Sequence, residues 1–162
     1  RIFLSNNGSM LNQKIVSSES LSYICQIAYK ELPNLEIICL ETRFDTVEEW
    51  ELEDHLEDYA SMHDIYIKEH RIAKEPAQLQ ISAGYETQDT YLRNNVLCKG
   101  YSEEEVVSFF ELCKTVTDKH NQDNSRQVQI LSDEYVMLKP AVGMTDEEAE
   151  IESFQTIAHL AA

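Results

Sequence analysis

The chain has 162 residues and a net charge of −17, with no apolar run near the ~18 residues that a membrane-crossing helix needs. Its length accommodates one domain with a sizeable core but not two comfortable ones. Its acidity argues against sequence-independent grip on a phosphate backbone, which relies on clustered Lys and Arg.

The chain begins Arg1-Ile2-Phe3-Leu4, inside a predicted strand over residues 2–5, and Asn6-Asn7-Gly8-Ser9 is a turn at its carboxyl end. A helix is expected from Ser17 or Ser18, with Leu21, Ile24, Cys25, Ala28 and Leu32 as its apolar face and Pro33 as its stop. Residues 35–40 (LEIICL) read as a strand covered on both faces, ended by Glu41-Thr42-Arg43. Thr46-Val47-Glu48-Glu49 is a capping box that opens a helix to about Tyr59. Its acidic run reads as a solvated face around Trp50, Leu52 and Leu56. Residues 61–76 have weaker periodicity and leave open more helix or an irregular insertion.

The third strand is expected over residues 77–84, followed by Glu86, a capping turn at Thr87 to Asp89, and a short helical segment closed by Lys99-Gly100-Tyr101. A second capping box, Ser102-Glu103-Glu104-Glu105, starts a helix carrying Val106, Phe109, Phe110, Cys113, Val116 and Thr117 on one side. Residues 120–126 read as a loop. A strand over residues 128–138, with a candidate break at Ser132-Asp133-Glu134, ends at Lys139-Pro140. The third capping box, Thr145-Asp146-Glu147-Glu148, opens a helix expected to bury Ile151, Phe154, Ile157 and Ala158. Strand, polar turn and capped helix in repetition imply βα units and a parallel sheet, either a small open sheet or the arc of a barrel. The chain starts in a strand and stops in an apolar helix, so it is read as a single domain, residues 1–162, truncated at both ends.

In a parallel sheet every βα turn opens on one rim, which gathers Asn7, Gly8, Ser9, Glu41, Thr42, Arg43, Gly84, Glu86 and Lys139. Carboxylates, cations and a glycine turn on one rim suit a polar, zwitterionic small molecule, with Arg43 able to grip a carboxylate bidentately. The same charges could equally pair with one another, Glu41 with Arg43 above all. Glu41 and Glu86 on adjacent strands are the nearest thing to a carboxylate dyad. His55, His63 and His70 are eight and seven residues apart, whereas metal ligands on one helix face normally sit three or four apart, so no metal site is assigned. No residue is given a catalytic role. Cys25, Cys39, Cys98 and Cys113 form no C-x-x-C and read as small buried hydrophobes of a reducing, cytoplasmic compartment. The sequon Asn7-Gly8-Ser9 has no secretory context around it.

Four segments together carry a family resemblance: IFLSNNGSMLN, LEIICLETRFD, QISAGYETQDTYLRNNVLCKGYSEEEV and YVMLKPAVGMTDEEA. In order and spacing they resemble the later strands of radical S-adenosylmethionine (SAM) enzymes. The nearest group includes the radical SAM subunit of archaeosine synthase and the catalytic subunit of elongator. The resemblance implies an α/β fold of parallel βα repeats forming part of a (β/α)6 partial TIM barrel, here its C-terminal portion. It implies a [4Fe-4S] cluster and SAM in the full-length protein, which together yield a 5′-deoxyadenosyl radical for hydrogen abstraction. A tRNA or nucleoside substrate would be reached through regions outside this chain.

By the same resemblance Asn7, Gly8 and Ser9 lie near the SAM amino-acid part, and Glu41, Thr42 and Arg43 near its ribose or carboxylate. Gly84 and Glu86 line the nucleoside side, and Lys139 faces cofactor or substrate. The C-x-x-x-C-x-x-C loop that ligates the cluster is absent from the 162 residues, and the turn at Asn7-Gly8-Ser9 lacks the glutamate of the common Gly-Gly-Glu form. The chain alone is therefore expected to be inactive and to bind neither cofactor, and an edge left open where the first strand belongs is expected to favour dimerisation. The alternative is an acidic α/β domain that binds a protein partner or a small nucleotide without redox chemistry.

Overall fold

The computed structural model describes residues 1–6, 8–70, 78–123, 130–136 and 141–161. Four strands, β1 (Ile2–Leu4), β2 (Ile37–Thr42), β3 (Gln78–Glu86) and β4 (Ile130–Val136), pair in parallel in the sequential order β1-β2-β3-β4. Helices α1 (Ser18–Glu31), α2 (Glu49–His70), α3 (Glu103–Asp123) and α4 (Asp146–Leu160) alternate with them, and a single π-turn spans Leu92–Val96. Among the described residues no helix is long and apolar enough to cross a membrane.

Register fixes what each sheet face carries. Leu4, Leu40 and Ile81 lie side by side, as do Ile38 and Leu79; all but Leu4 belong to the apolar core, against which Leu4 packs. That core takes Leu21, Cys25 and Tyr29 from α1, Leu52 and Leu56 from α2, and Phe109, Cys113 and Val116 from α3. Three helices thus cover one face, as right-handed crossovers in a sequentially ordered sheet require. Side chains one residue out of phase face the other way. There Cys39 aligns with Gln80 and Glu41 with Ser82, and the Cys39 thiol lies 3.0 Å from the Ser82 hydroxyl. One face is apolar; the other is mixed, with Phe3 beside Cys39 and Gln80, and Glu41 beside Ser82.

The local signals explain most boundaries. Ser17 caps α1 by accepting the Ser20 N–H. Ser102 and Glu105 exchange side chain and backbone bonds at the start of α3, as Thr145 and Glu148 do for α4. The Thr46 box fails: its hydroxyl donates to Arg43 O at 3.3 Å and α2 starts at Glu49. The preceding turn is shaped instead by Phe44, buried with its ring 5.0 Å from Tyr101 and 5.3 Å from Phe109. Glu51 assumes the capping role, accepting the Glu48 N–H at 3.3 Å and the Gln13 N–H at 3.1 Å. The acidic face of α2 is therefore not wholly solvated, since Glu51 is buried while Trp50 is exposed.

Strand β2 begins at Ile37, two residues after the expected start, and runs through Glu41 and Thr42; β3 likewise continues past Gly84 to Glu86. Helix α2 continues to His70 and α3 to Asp123, into residues expected as weakly periodic and as loop. The backbone of β4 stays in register through Ser132, Asp133 and Glu134, without a break. Lys139 and Pro140 lie outside the described residues.

The largest departure is α4. Ile151, Phe154 and Ile157 are 51%, 65% and 52% exposed and Ala158 is exposed, while Ala149, Ser153 and Thr156 are buried. Small residues let the helix approach closely, and polar partners fix its rotation. Thr156 accepts the Gln88 N–H at 2.9 Å, Glu152 accepts from the Thr87 hydroxyl, and His159 stacks on Tyr85.

His55 ties α2 to the loop after β1. Its Nε2 donates to Leu11 O at 3.0 Å, which leaves Nδ1 as a buried acceptor with no partner among the described residues. Burial pushes its pKa down, against the opposing pull of the Leu11 bond and nearby Glu51, Asp58 and Asp54. A folded-state pKa below the unfolded ~6.5 means stability is lost as pH falls through and below that value, because the unfolded chain binds the proton first. Between pH 7 and pH 5.5 the wild type should lose more stability in urea titrations than His55→Gln, which keeps a donor and does not titrate. Phe154→Ala should change stability by no more than about 0.5 kcal/mol, whereas Phe109→Ala should cost about 3–5 kcal/mol.

Candidate functional site

The carboxyl ends of the parallel strands carry two polar clusters. The first joins the β1 turn to the end of β2. The Ser9 hydroxyl lies 2.6 Å from that of Thr42, both buried, and the Met10 N–H donates to Glu41 O at 2.9 Å. The Ser5 hydroxyl donates to the Glu41 carboxylate. The Gly8 N–H donates to Asn6 Oδ1 at 2.8 Å, while Asn6 Nδ2 is buried without a partner among the described residues. A Cβ on Gly8 would lie 2.9 Å from the Ile15 side chain. Its small size thus serves packing against Ile15, where the sequence suggested approach by a ligand.

The second cluster is built on β3. A register irregularity between Gly84 and Glu86 precedes the last rung of the ladder with β4, Glu86 beside Val136, and Glu86 adopts φ 69°. Its carboxylate folds back over Gly84: a Cβ there would sit 2.3 Å from Glu86 Oε1 and 3.2 Å from Lys99 Nζ. Lys99 Nζ donates to Glu86 Oε1 at 2.6 Å. Arg43 holds Asp45 with a two-pronged grip at 2.9 and 3.0 Å and donates to Lys99 O at 2.7 Å. This ties the end of β2 to the loop beyond β3. The pairing foreseen between Glu41 and Arg43 does not form; each has another partner.

Among the described residues Glu86 and Cys98 are the two non-glycine residues with positive φ, at 69° and 54°. Each costs of order 1–3 kcal/mol in backbone strain. They flank the same ion pair, Glu86 as its acid and Cys98 just before its base.

The segment between them is over-determined. Thr87 and Asp89 accept backbone N–H groups at 3.1 Å (Asp89), 2.8 Å (Tyr91) and 3.0 Å (Leu92). The Leu97 N–H reaches Leu92 O at 2.9 Å to close the π-turn. Asn94 donates to Tyr101 O at 2.9 Å and accepts the Gly100 N–H at 3.0 Å, with Gly100 at φ 79°. The Tyr101 hydroxyl donates to Gly84 O.

Beneath this segment Arg93 is wholly buried. It meets Glu103 Oε1 at 2.6 Å and donates to Thr87 O at 3.1 Å, with its guanidinium 4.8 Å from the Tyr85 ring centroid and 5.4 Å from that of Tyr101. Burial alone would raise the Glu103 pKa, but hydrogen bonds from Tyr85 and Arg93 outweigh it and hold the carboxyl below its usual range. Burial, reinforced by the bond to Glu103, pushes the Tyr85 phenol up to about 12.

Of the residues singled out from sequence, Gly8, Ser9, Glu41, Thr42, Arg43, Gly84 and Glu86 all lie at the carboxyl ends of β1, β2 and β3. Asn7 and Lys139 are outside the described residues. Glu41 aligns with Ser82, so Glu86 stands four residues further along, about 13 Å at ~3.3 Å per residue. The two carboxylates do not form a dyad. Lys99, Asp45 and Arg93 were missed as partners; the Lys99-Gly100-Tyr101 ending was the signal that marked the place without revealing the pair.

Among the described residues no group of three His, Cys, Asp or Glu is placed to hold a metal. Cys25, Cys39 and Cys113 are buried, Cys98 is exposed, and burial pushes the Cys25 and Cys113 thiols up to about 12. These residues do not fit a [4Fe-4S] cluster. The rim gathers the Asn6 amide with Arg43, Lys99, Glu41 and Glu86, and each of these four charged groups is bonded to another side chain: Arg43 to Asp45, Lys99 to Glu86 and Glu41 to Ser5. Comparison with protein-family models, curated proteins and solved structures gave no match.

Gly84→Ala should drive the Glu86 carboxylate off its seat and release Lys99. The check is the acylation rate of Lys99 mapped by mass spectrometry. It should rise severalfold over wild type, while that of the distant, already exposed Lys30 stays unchanged.

Proposed function

We propose that the chain is the SAM-facing arc of a radical SAM enzyme core, with its strands part of a (β/α)6 partial barrel. The observation that carries this is the strained Glu86–Lys99 pair at the carboxyl end of β3, linked through Lys99 O to Arg43 at the end of β2. Strained backbone held by many bonds is characteristic of ligand clamps. The sequential strand order, with α1, α2 and α3 packed on one face, supports a barrel arc over a doubly wound sheet, whose helices cover both faces. The four sequence segments supply the family.

In this reading Arg43 and Lys99 meet the carboxylate of the SAM amino-acid part, Asn6 binds beside them, and Glu86 faces the nucleoside. Binding and orienting SAM is the role of these residues. The cluster that makes SAM a source of the 5′-deoxyadenosyl radical is held by residues outside these 162, and no chemical step is assigned to this chain. Action on tRNA or a nucleoside is a property proposed for the parent protein alone. The competing reading, an acidic domain that binds a small nucleotide without redox chemistry, would use the same rim, with Arg43 and Lys99 meeting the phosphate in place of a carboxylate.

Calorimetric titration separates the two. The full-length protein should bind SAM more tightly than AMP, and Arg43→Ala or Lys99→Ala in it should each weaken SAM binding by about tenfold, as loss of a charge-assisted contact does. Lys30→Ala, exposed on α1, should have no effect. Equal affinity for AMP and SAM, or indifference of SAM binding to Arg43 and Lys99, would contradict the assignment.

A further inference from the structure

Helix α4 is amphipathic with its apolar side turned outward. Ile151, Phe154 and Ile157 are each more than half exposed, and Phe154 is the most exposed at 65%. Their spacing of three, with Ala158 four residues beyond Phe154, puts them along one side of the helix. The rotation is not incidental, because the opposite side is fastened. Thr156 bonds Gln88, Glu152 bonds Thr87, and His159 Nε2 lies 3.7 Å from Glu103. Solvating three large apolar side chains on one helix is unusual for a surface with no partner.

The charges around this strip define what would cover it. Glu147 precedes Ile151 by one turn and Glu150 precedes Phe154 by one turn, so both carboxylates border the apolar row. Residues 141–162 contain no Lys or Arg, and the whole chain carries −17. A second copy would bring like charges together. An anionic bilayer would be repelled in the same way. A basic amphipathic helix satisfies both features, with its apolar row on Ile151, Phe154 and Ile157 and its Lys or Arg beside Glu147 and Glu150.

We propose that the outer face of α4 is a docking site for a basic amphipathic helix of a partner protein. The docking face is the side of α4 turned away from Thr87 and Gln88, and it uses no residue of the proposed SAM site.

The probe is a fluorescent helical peptide with leucines along one face and lysines flanking them, titrated against the chain by anisotropy. Two control peptides accompany it, one with glutamates for the lysines and one with serines for the leucines. The lysine–leucine peptide should bind, and both controls should bind about tenfold more weakly or not at all. Phe154→Asp should abolish binding although it makes the protein more acidic, which separates docking from bulk charge attraction. Glu147→Lys with Glu150→Lys should reverse the preference toward the glutamate peptide, a readout that stands even if Phe154→Asp fails to fold.

Equal binding of the lysine–serine peptide would overturn the proposal, as would indifference to both sets of variants. Concentration-dependent dimerisation abolished by Phe154→Asp would assign the face to a second copy and overturn it too. Phe154-dependent binding to phosphatidylcholine vesicles in preference to the peptide would do the same.

Discussion

A wholly buried guanidinium organises the end of the molecule where the candidate site lies. Arg93 is sandwiched near Tyr85 and Tyr101, paired with Glu103, and bonded to Thr87 O. A charge taken out of water is costly unless its partners are in place. The partners come from the end of β3, the loop after it and the first turn of α3, so pairing Arg93 ties all three together, while its Nε is buried with no hydrogen-bond partner among the described residues. Because Glu103 remains partly exposed, its carboxylate keeps some hydration while the cation does not. The asymmetry makes Arg93 the dependent partner, and its burial compels the surrounding order.

That order lets two non-glycine residues remain in left-handed conformations. Glu86 and Cys98 would relax in a loose loop, yet the π-turn, the Asn94 bridges and Tyr101 hold the backbone on both sides of them. The outcome is a carboxylate laid over Gly84 and met by Lys99, with Arg43 reaching across from β2. The neighbouring cluster of Ser5, Asn6, Ser9, Glu41 and Thr42 rests on a different support, the loop that His55 and Glu51 clamp to α2. The rim is one surface assembled on two foundations.

Much of this architecture was legible in the sequence because it rests on local chemistry. The boxes at Ser102 and Thr145 need partners three residues away, and both form. The Thr46 box has the same pattern and fails, since burial of Phe44 sets the chain's path before the cap can act. Periodicity identified α4 as amphipathic but could not say which side would face inward. Thr87 and Gln88, sixty-odd residues away, decided that by bonding Glu152 and Thr156. The strand-end rule located the rim residues, yet Arg43 with Asp45 and Glu86 with Lys99 are pairings that only the fold brings together. Arg93 was invisible for the same reason: an arginine in a polar stretch reads as surface.

Hydrogen–deuterium exchange on Arg93→Met tests most directly whether this buried cation organises the rim. The substitution keeps the volume and removes the charge. Amides of residues 87–101 should exchange on the order of a hundredfold faster, equivalent to about 3 kcal/mol of local opening. Those of α1 and β2 should retain their protection. Unchanged exchange in residues 87–101, or a uniform loss across the whole chain, would contradict the account.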